Sequence, residues 1–90
     1  MEFIGMWKNE ETDELIEFEN SDHSDAYHLH YDYNSKTNKF EQSELIPINK
    51  SGNIYRIMKS ELFGGTNLFL ISDNKIQISD SLYQKNTIEK

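Results

Sequence analysis

The chain has 90 residues, a formal net charge of −7 at pH 7 and no cysteine. A chain of this length forms a single small domain, here residues 1–90, and the lack of cysteine excludes disulfide bonds and thiolate metal sites. No apolar run approaches the ~20 residues of a membrane-spanning helix, and the N-terminus lacks the basic and apolar regions of a signal peptide. We therefore expect a cytoplasmic protein that does not bind membranes.

Short segments with strand character, separated by turn residues, follow one another along the chain. In the second segment, Ile16 and Phe18 alternate with Glu17 and Glu19, which is the pattern of a strand with one buried face. The segments are 3–8, 15–19, 26–33, 38–46, 53–59, 67–72, 75–79 and 81–85. The connections between segments are too short for the crossover that parallel neighbouring strands need, so neighbouring strands are expected to be antiparallel. The pattern therefore predicts an all-β fold of seven to eight short strands, as a small antiparallel up-and-down barrel or a barrel-like sandwich.

Three stretches depart from this regular pattern. Residues 9–20 fit either a hairpin or a short acidic helix capped by Asn9. Pro47 is expected to stop the fourth segment or to place it at a sheet edge, because proline has no N–H to donate. Residues 86–90 are expected to form a frayed tail.

Two landmarks near the ends of the chain suggest a family. The sequence Gly-Met-Trp-Lys at residues 5–8 resembles the Gly-x-Trp that opens the lipocalins and their short lipocalin-like relatives among the calycins. The Tyr83-Gln84-Lys85 stretch resembles their last strand, where a basic residue packs over that Trp. The resemblance implies a barrel with Trp7 in the core near one end, and Lys85 in place of the usual arginine.

The same resemblance implies a ligand. A lipocalin-like barrel would bind a small apolar molecule or a nucleotide in its mouth, and the aromatic residues expected to line this site are Tyr27, Tyr31, Tyr55 and Phe69. Eight strands enclose an interior that side chains can fill or that can hold one small ligand. Because the strands are short and rich in large apolar residues, we expect the filled interior, and ligand binding is the alternative function.

Residues 27–33 read Tyr-His-Leu-His-Tyr-Asp-Tyr in strict alternation. On a strand, His28, His30 and Asp32 share one face, with a spacing that metal-binding strands use, and His23 could approach as a further ligand. The opposite, tyrosine-rich face is expected to turn to the core, which leaves the imidazoles in water. We therefore prefer a solvated polar face and predict no metal ion or other cofactor.

Motifs for catalysis are lacking. The chain has no cysteine nucleophile, and it has no Ser/His/Asp arrangement whose geometry the sequence supports. Gly64-Gly65 lacks the lysine and helix that follow a phosphate-binding loop. We therefore expect that the protein is not an enzyme and has no catalytic residue.

Charge is distributed unevenly along the chain. Residues 1–32 hold ten acidic residues and one lysine, whereas residues 33–90 hold six acidic and eight basic residues. We call residues 10–25 the acidic segment. It contains no Lys or Arg, and its acidic residues are Glu10, Glu11, Asp13, Glu14, Glu17, Glu19, Asp22 and Asp25. Such a segment would repel nucleic acid phosphates and attract a basic protein surface.

The charge distribution leads to our functional hypothesis. We expect a non-enzymatic intracellular binding protein that uses the acidic segment against a basic protein partner, as small inhibitors and immunity proteins do, with a nuclease or a toxin as the partner. The other interpretation is a solubilising acidic edge without a partner. Either a monomer or a small oligomer is compatible with the sequence.

Overall fold

Eight antiparallel strands follow one another around a closed barrel in a computed structural model that describes residues 3–86. The strands are β1 Gly5–Asn9, β2 Leu15–Asn20, β3 Ala26–Asn34, β4 Lys39–Ser51, β5 Ile54–Ile57, β6 Thr66–Ser72, β7 Lys75–Ile78 and β8 Ser81–Lys85. Each strand pairs with the next, and β8 pairs with β1. The predicted all-β, up-and-down barrel is confirmed. No helix within residues 3–86 is long and apolar enough to span a membrane.

The ambiguous residues 9–20 form a hairpin. The Asn9 side-chain oxygen accepts the N–H groups of Glu11 and Thr12 at 2.8 and 3.1 Å, and Asp13 has a left-handed backbone with φ of 65°. The backbone N–H of Asn9 donates to the carbonyl of Glu14 at 2.8 Å. Asn9 therefore organises the turn between β1 and β2 instead of capping a helix.

The prediction for Pro47 is wrong, because β4 continues past it to Ser51. Pro47 pairs with Ala26, the first residue of β3, and from Ile48 onward β4 pairs with β5. Pro47 has no N–H to donate, and it lies where the pairing of β4 with β3 ends. The Pro47 carbonyl still accepts the N–H of Met58 at 3.0 Å, so the strand passes through without a break.

The two ends of the barrel differ. One end holds Phe3 together with the turns β2–β3, β4–β5 and β6–β7, and we call it the Phe3 end. The opposite end holds the turns β1–β2, β3–β4, β5–β6 and β7–β8. We call it the cleft end, because the large cleft described below opens there.

Apolar side chains from all eight strands, with Phe3, pack in the interior. The buried apolar residues of the described chain are Phe3, Trp7, Ile16, Phe18, Tyr27, Leu29, Ile46, Ile48, Tyr55, Ile57, Leu68, Ile76, Ile78 and Tyr83. Along each strand they alternate with more exposed residues, as the pleat requires. An eight-stranded barrel is narrow enough for such side chains to fill it.

Trp7 lies fully buried and is held from two sides. Its ring N–H donates to the carbonyl of Phe3 at 2.9 Å. The Lys85 ammonium lies 4.8 Å from the centre of a Trp7 ring and donates to the carbonyl of Ile4 at 2.9 Å. The two contacts of Lys85, with Trp7 and with Ile4, join the two ends of the chain. They agree with the arrangement that the sequence resemblance implied for Trp7 and Lys85.

Gly5 makes room for this lysine. Its φ is 132°, and an added Cβ would lie 2.6 Å from the Lys85 Nζ. We expect Gly5→Ala to lower the free energy of unfolding by about 1–3 kcal/mol, because the backbone becomes strained and the ammonium is displaced from Trp7.

Urea unfolding measures the effect of Gly5→Ala, and Gly52→Ala is the matched control. Gly52 also has a positive φ, of 63°, but nothing lies within 4 Å of an added Cβ. A larger loss at Gly5 than at Gly52 is the expected result. Equal losses would show that neither the larger φ of Gly5 nor the contact with Lys85 adds to the loss found at Gly52.

The predicted tail begins with an ordered residue. The Asn86 N–H donates to the carbonyl of Met6 at 2.8 Å, next to the β1–β8 pair. The remaining residues of the predicted tail, 87–90, lie outside the described residues.

Candidate functional site

The acidic segment follows β2 from one end of the barrel to the other. Four of its acidic residues lie in the β1–β2 turn at the cleft end, and two lie in the β2–β3 loop at the Phe3 end. Between them, Glu17 and Glu19 alternate with the buried Ile16 and Phe18, so their carboxylates lie on the outer face. All are exposed except Glu17, which is half-buried. The segment is therefore a continuous acidic stripe.

Few cations compensate this stripe. Lys75 pairs with Glu10 at 3.1 Å, Lys8 approaches Asp13 at 3.8 Å, and the His30 ring forms a short hydrogen bond with the Glu19 carboxylate. Within residues 3–86, the other acidic residues of the segment form no ion pair with Lys, Arg or His. They are Glu11, Glu14, Glu17, Asp22 and Asp25.

Glu17 is a carboxylate of the stripe whose charged form the fold disfavours, first through burial. Burial raises the pKa of Glu17, and the neighbouring charge of Glu19 raises it further, while His30 lowers it. The folded barrel thus holds this carboxylate in surroundings that disfavour its charge.

A cleft of about 760 Å³ opens beside the stripe, at the cleft end. Its walls combine carboxylates with tyrosine rings. The acidic residues that line it are Asp13, Glu14, Asp32 and Glu41, and the tyrosines are Tyr31, Tyr33 and Tyr83. Asp13 and Glu14 also belong to the acidic segment, so the cleft and the stripe form one surface.

Carboxylates outnumber cations around this cleft, where Lys8 is the basic residue among the lining side chains. Burial raises the pKa of Tyr31, and the charges of Glu44, Asp32 and Glu61 raise it further. Burial also raises the pKa of Tyr83; a hydrogen bond with Asn9 lowers it, and the charge of Glu14 raises it. Such a cleft suits a cation and opposes a phosphate.

Glu44 holds the loop that closes one side of the cleft end. Its carboxylate accepts hydrogen bonds from the Ser60 hydroxyl at 2.8 Å and from the N–H groups of Glu61 and Leu62 at 2.7 and 3.1 Å. Leu62 lines the cleft, and the next residue, Phe63, packs edge-on against the Tyr83 ring. Glu44 is therefore a structural residue that shapes one wall.

The four residues predicted for a ligand site do not share one surface. Tyr27 and Tyr55 are buried at the Phe3 end, where their rings lie 5.0 and 4.9 Å from the ring of Phe3. Tyr31 lines the cleft at the other end, and Phe69 is 36% exposed on the outer surface. Sequence reasoning named Asp13, Glu14 and Asp32 in other roles. It missed the remaining cleft residues because they come from several strands and turns whose mutual position depends on barrel closure.

The strict alternation predicted for residues 27–33 ends at Asp32. This residue has a left-handed backbone, with φ of 56°, and lines the cleft instead of lying beside His28 and His30. After it, the Tyr33 ring packs 5.0 Å from Phe40, whose ring lies 6.0 Å from that of His30. Aspartate tolerates this backbone conformation better than most residues, so the change of face costs little free energy.

His30 has different neighbours from those predicted. One ligand atom each from Glu17, Glu19 and His30 lie within 4.8 Å of one another on the outer face of β2 and β3. The exposed His28 ring lies 6.2 Å from the His30 ring and nearly parallel to it. The alternation of residues 15–19 predicts that Glu17 and Glu19 lie on the outer face of their strand. Segments that follow one another in the chain often pair as a hairpin. Pairing of residues 15–19 with residues 26–33 could therefore have predicted that Glu17 and Glu19 lie beside the histidines.

Comparisons with protein-family models, with curated proteins and with solved structures return no significant match. The lipocalin-like resemblance therefore rests on the barrel topology and on the contacts of Gly5, Trp7 and Lys85 alone. Proposals about function rest on the acidic stripe and the cleft.

Proposed function

We propose that the protein is a non-enzymatic binding protein whose acidic segment binds a basic protein partner, such as a nuclease or a toxin. One observation supports this most strongly: the eight acidic residues form one surface stripe, exposed except for the half-buried Glu17. Among residues 3–86, only Glu10 and Asp13 of this stripe have a lysine partner. The proposal assigns no catalytic residue and no direct contact with nucleic acid.

Concentrating these carboxylates disfavours the folded state unless a cation compensates them. The pKa of Glu17 is raised in the folded chain, so Glu17 contributes stability below its unfolded pKa and loses that contribution as the pH rises through the folded pKa. At neutral pH the charged carboxylate therefore opposes folding. A lysine or arginine of the partner would offset the repulsion from Glu19, which is the second cause of this shift after burial, and this gives the complex a source of free energy.

The stripe also predicts how the complex forms. An extended patch of one sign attracts a basic surface over a distance of about one Debye length, ~8 Å at physiological ionic strength. Association is then fast and falls steeply with added salt. A partner recognised by apolar contacts alone would show little of this dependence.

The cleft offers an anchor for the same partner. An arginine side chain could place its guanidinium against Asp13 or Glu14 and stack on a tyrosine ring, because the cleft wall presents both kinds of group. Buried anchors of this type dominate the affinity of protein interfaces. The stripe would then steer the partner, and the cleft would hold it.

A second candidate function is favoured by the size of the cleft. Its volume, about 760 Å³, lies in the range of small-molecule sites, and Tyr31 is one of the residues that the lipocalin-like resemblance implied for a ligand. The carboxylates favour a cationic compound over the nucleotide of the original expectation.

Neutralising the stripe tests the proposed function. In a variant with Glu10, Glu11, Asp13, Glu14, Glu17 and Glu19 changed together to Gln or Asn, we expect the partners recovered by affinity purification from the native cell to be lost. We expect affinity for them to fall at least about tenfold, since several charge pairs of the interface disappear.

Two variants with the same change in net charge test whether the position of the neutralised carboxylates matters. Glu11 and Glu14 are neutralised in one variant, and the exposed Asp73 and Asp80, which lie outside the stripe and the cleft, in the other. Only the first is expected to weaken binding. If the six-residue variant binds every recovered partner as tightly as the wild type, the proposed function is wrong. Native mass spectrometry of the same preparation would instead reveal a small molecule.

A further inference from the structure

We propose that Glu17, Glu19 and His30, with His28 beside them, form a site for a divalent transition metal ion such as Zn²⁺ on the outer face of β2 and β3. The sequence predicted no metal ion here, but the structure places Glu17 and Glu19 beside the two histidines. The metal site does not depend on the proposed function. The residues of this site come from two adjacent, paired strands.

The register places two carboxylates opposite two imidazoles. Glu17 pairs directly with His30, and Glu19 pairs directly with His28. Residues two apart on a strand point to the same face, so the four side chains occupy the corners of a rough square. Directly opposite residues have Cβ atoms about 4.5–5.5 Å apart, close enough for side chains of this length to converge on one ion.

The ligand atoms are already close together. One oxygen from each glutamate and one ring nitrogen of His30 lie within 4.8 Å of one another, and His30 Nε2 already contacts the Glu19 carboxylate. Ligands about 2.0–2.1 Å from a tetrahedral zinc ion lie about 3.4 Å apart. Side-chain rotations, without a backbone change, would therefore bring the three atoms to coordination distance.

His28 supplies a fourth group within reach. Its ring is exposed, and the centroid lies 6.2 Å from that of His30 with an angle of 16° between the planes. If His28 rotates inward, the ion has two nitrogen and two oxygen ligands. Otherwise water takes the fourth position.

The mixture of ligands selects the kind of ion. Calcium and magnesium prefer oxygen ligands, whereas an imidazole favours zinc and the later first-row divalent ions. The ion would also bring two positive charges between Glu17 and Glu19, in a stripe that has few cations of its own. This second effect distinguishes the cluster from a simple His30–Glu19 ion pair.

Isothermal titration of the full chain with ZnCl₂ in a non-chelating buffer tests the site. We expect one ion per chain, and a loss of affinity of at least about tenfold in both His30→Ala and Glu17→Gln. Tetrahedral Co²⁺ should give visible absorption bands in the wild type, and these should disappear in His30→Ala. Calcium should not compete at equal concentration.

His23→Ala is the matched control, because His23 lies exposed in the β2–β3 loop, outside the cluster. It should bind Zn²⁺ as the wild type does. Circular dichroism confirms that each variant folds, which is expected for substitutions on an outer face. The proposal is overturned if the wild type binds no stoichiometric Zn²⁺, or if His30→Ala keeps the full affinity. Because no partner is present in the titration, failure here leaves the proposed function untouched.

Discussion

Replacing Trp7 by alanine is expected to lower the free energy of unfolding by about 3–5 kcal/mol. The Trp7 side chain is fully buried, and its removal would leave a large cavity between the barrel strands. The substitution also removes the hydrogen bond to the Phe3 carbonyl and the ring on which the Lys85 ammonium lies. Since small domains have only about 5–15 kcal/mol of stability, much of the population could unfold at 37 °C.

Urea unfolding followed by circular dichroism measures this loss without relying on Trp7 as the fluorophore. Trp7→Phe is the control, because phenylalanine keeps an aromatic ring in the core but cannot donate to Phe3. Its loss should be clearly smaller than that of Trp7→Ala. A loss below about 1 kcal/mol for Trp7→Ala would contradict the central place of Trp7 in the core.

Phe3→Ala should be the second most damaging substitution, at about 3–5 kcal/mol. Phe3 precedes β1, yet it is fully buried at the Phe3 end. Its ring packs edge-on against three aromatic rings, with centroid distances of 5.4 Å to Phe18, 5.0 Å to Tyr27 and 4.9 Å to Tyr55. Such pairs contribute about 0.5–1.5 kcal/mol each beyond the area they bury.

Phe69→Ala is the matched control for Phe3→Ala. It removes the same side chain from the outer surface, where Phe69 is 36% exposed, and should cost about 1 kcal/mol or less. Thermal unfolding of both variants in one buffer makes the comparison. Equal losses at the two positions would mean that Phe3 does not close the barrel in solution, because the truncation at Phe3 would then leave no cavity.

Much of the fold could be read from the residues because the signal is local. The alternation of Ile16 and Phe18 with Glu17 and Glu19 places β2 and both of its faces, since successive side chains on a strand point in opposite directions. Turn residues such as Gly64-Gly65 separate the segments. The sequence left open whether residues 9–20 form a hairpin or a helix, because Asn9 can organise either kind of turn.

The candidate site was only partly predictable. The acidic segment is visible in the sequence because its residues are contiguous, and the structure shows where each one lies. The cleft was not visible, because Asp13 and Glu14 meet Tyr31, Asp32 and Glu41 only when the hairpins are assembled around the barrel. The place of Asp32 in the cleft was not predictable either, because no residue type in the segment requires the left-handed backbone that Asp32 adopts.

The sequence by itself determined which residues are apolar, how they alternate, and where negative charge is concentrated, because these properties depend on residue identity and on the period of a strand. Only the tertiary structure decided which faces meet. A shift of one residue in the pairing of β2 with β3 would move His30 away from Glu17. The side chains of the shifted strand would then turn to the opposite face of the sheet. Barrel closure likewise decided that Phe3 fills one end and that Lys85 reaches Trp7, because contacts between distant parts of the chain depend on the packing of all eight strands together.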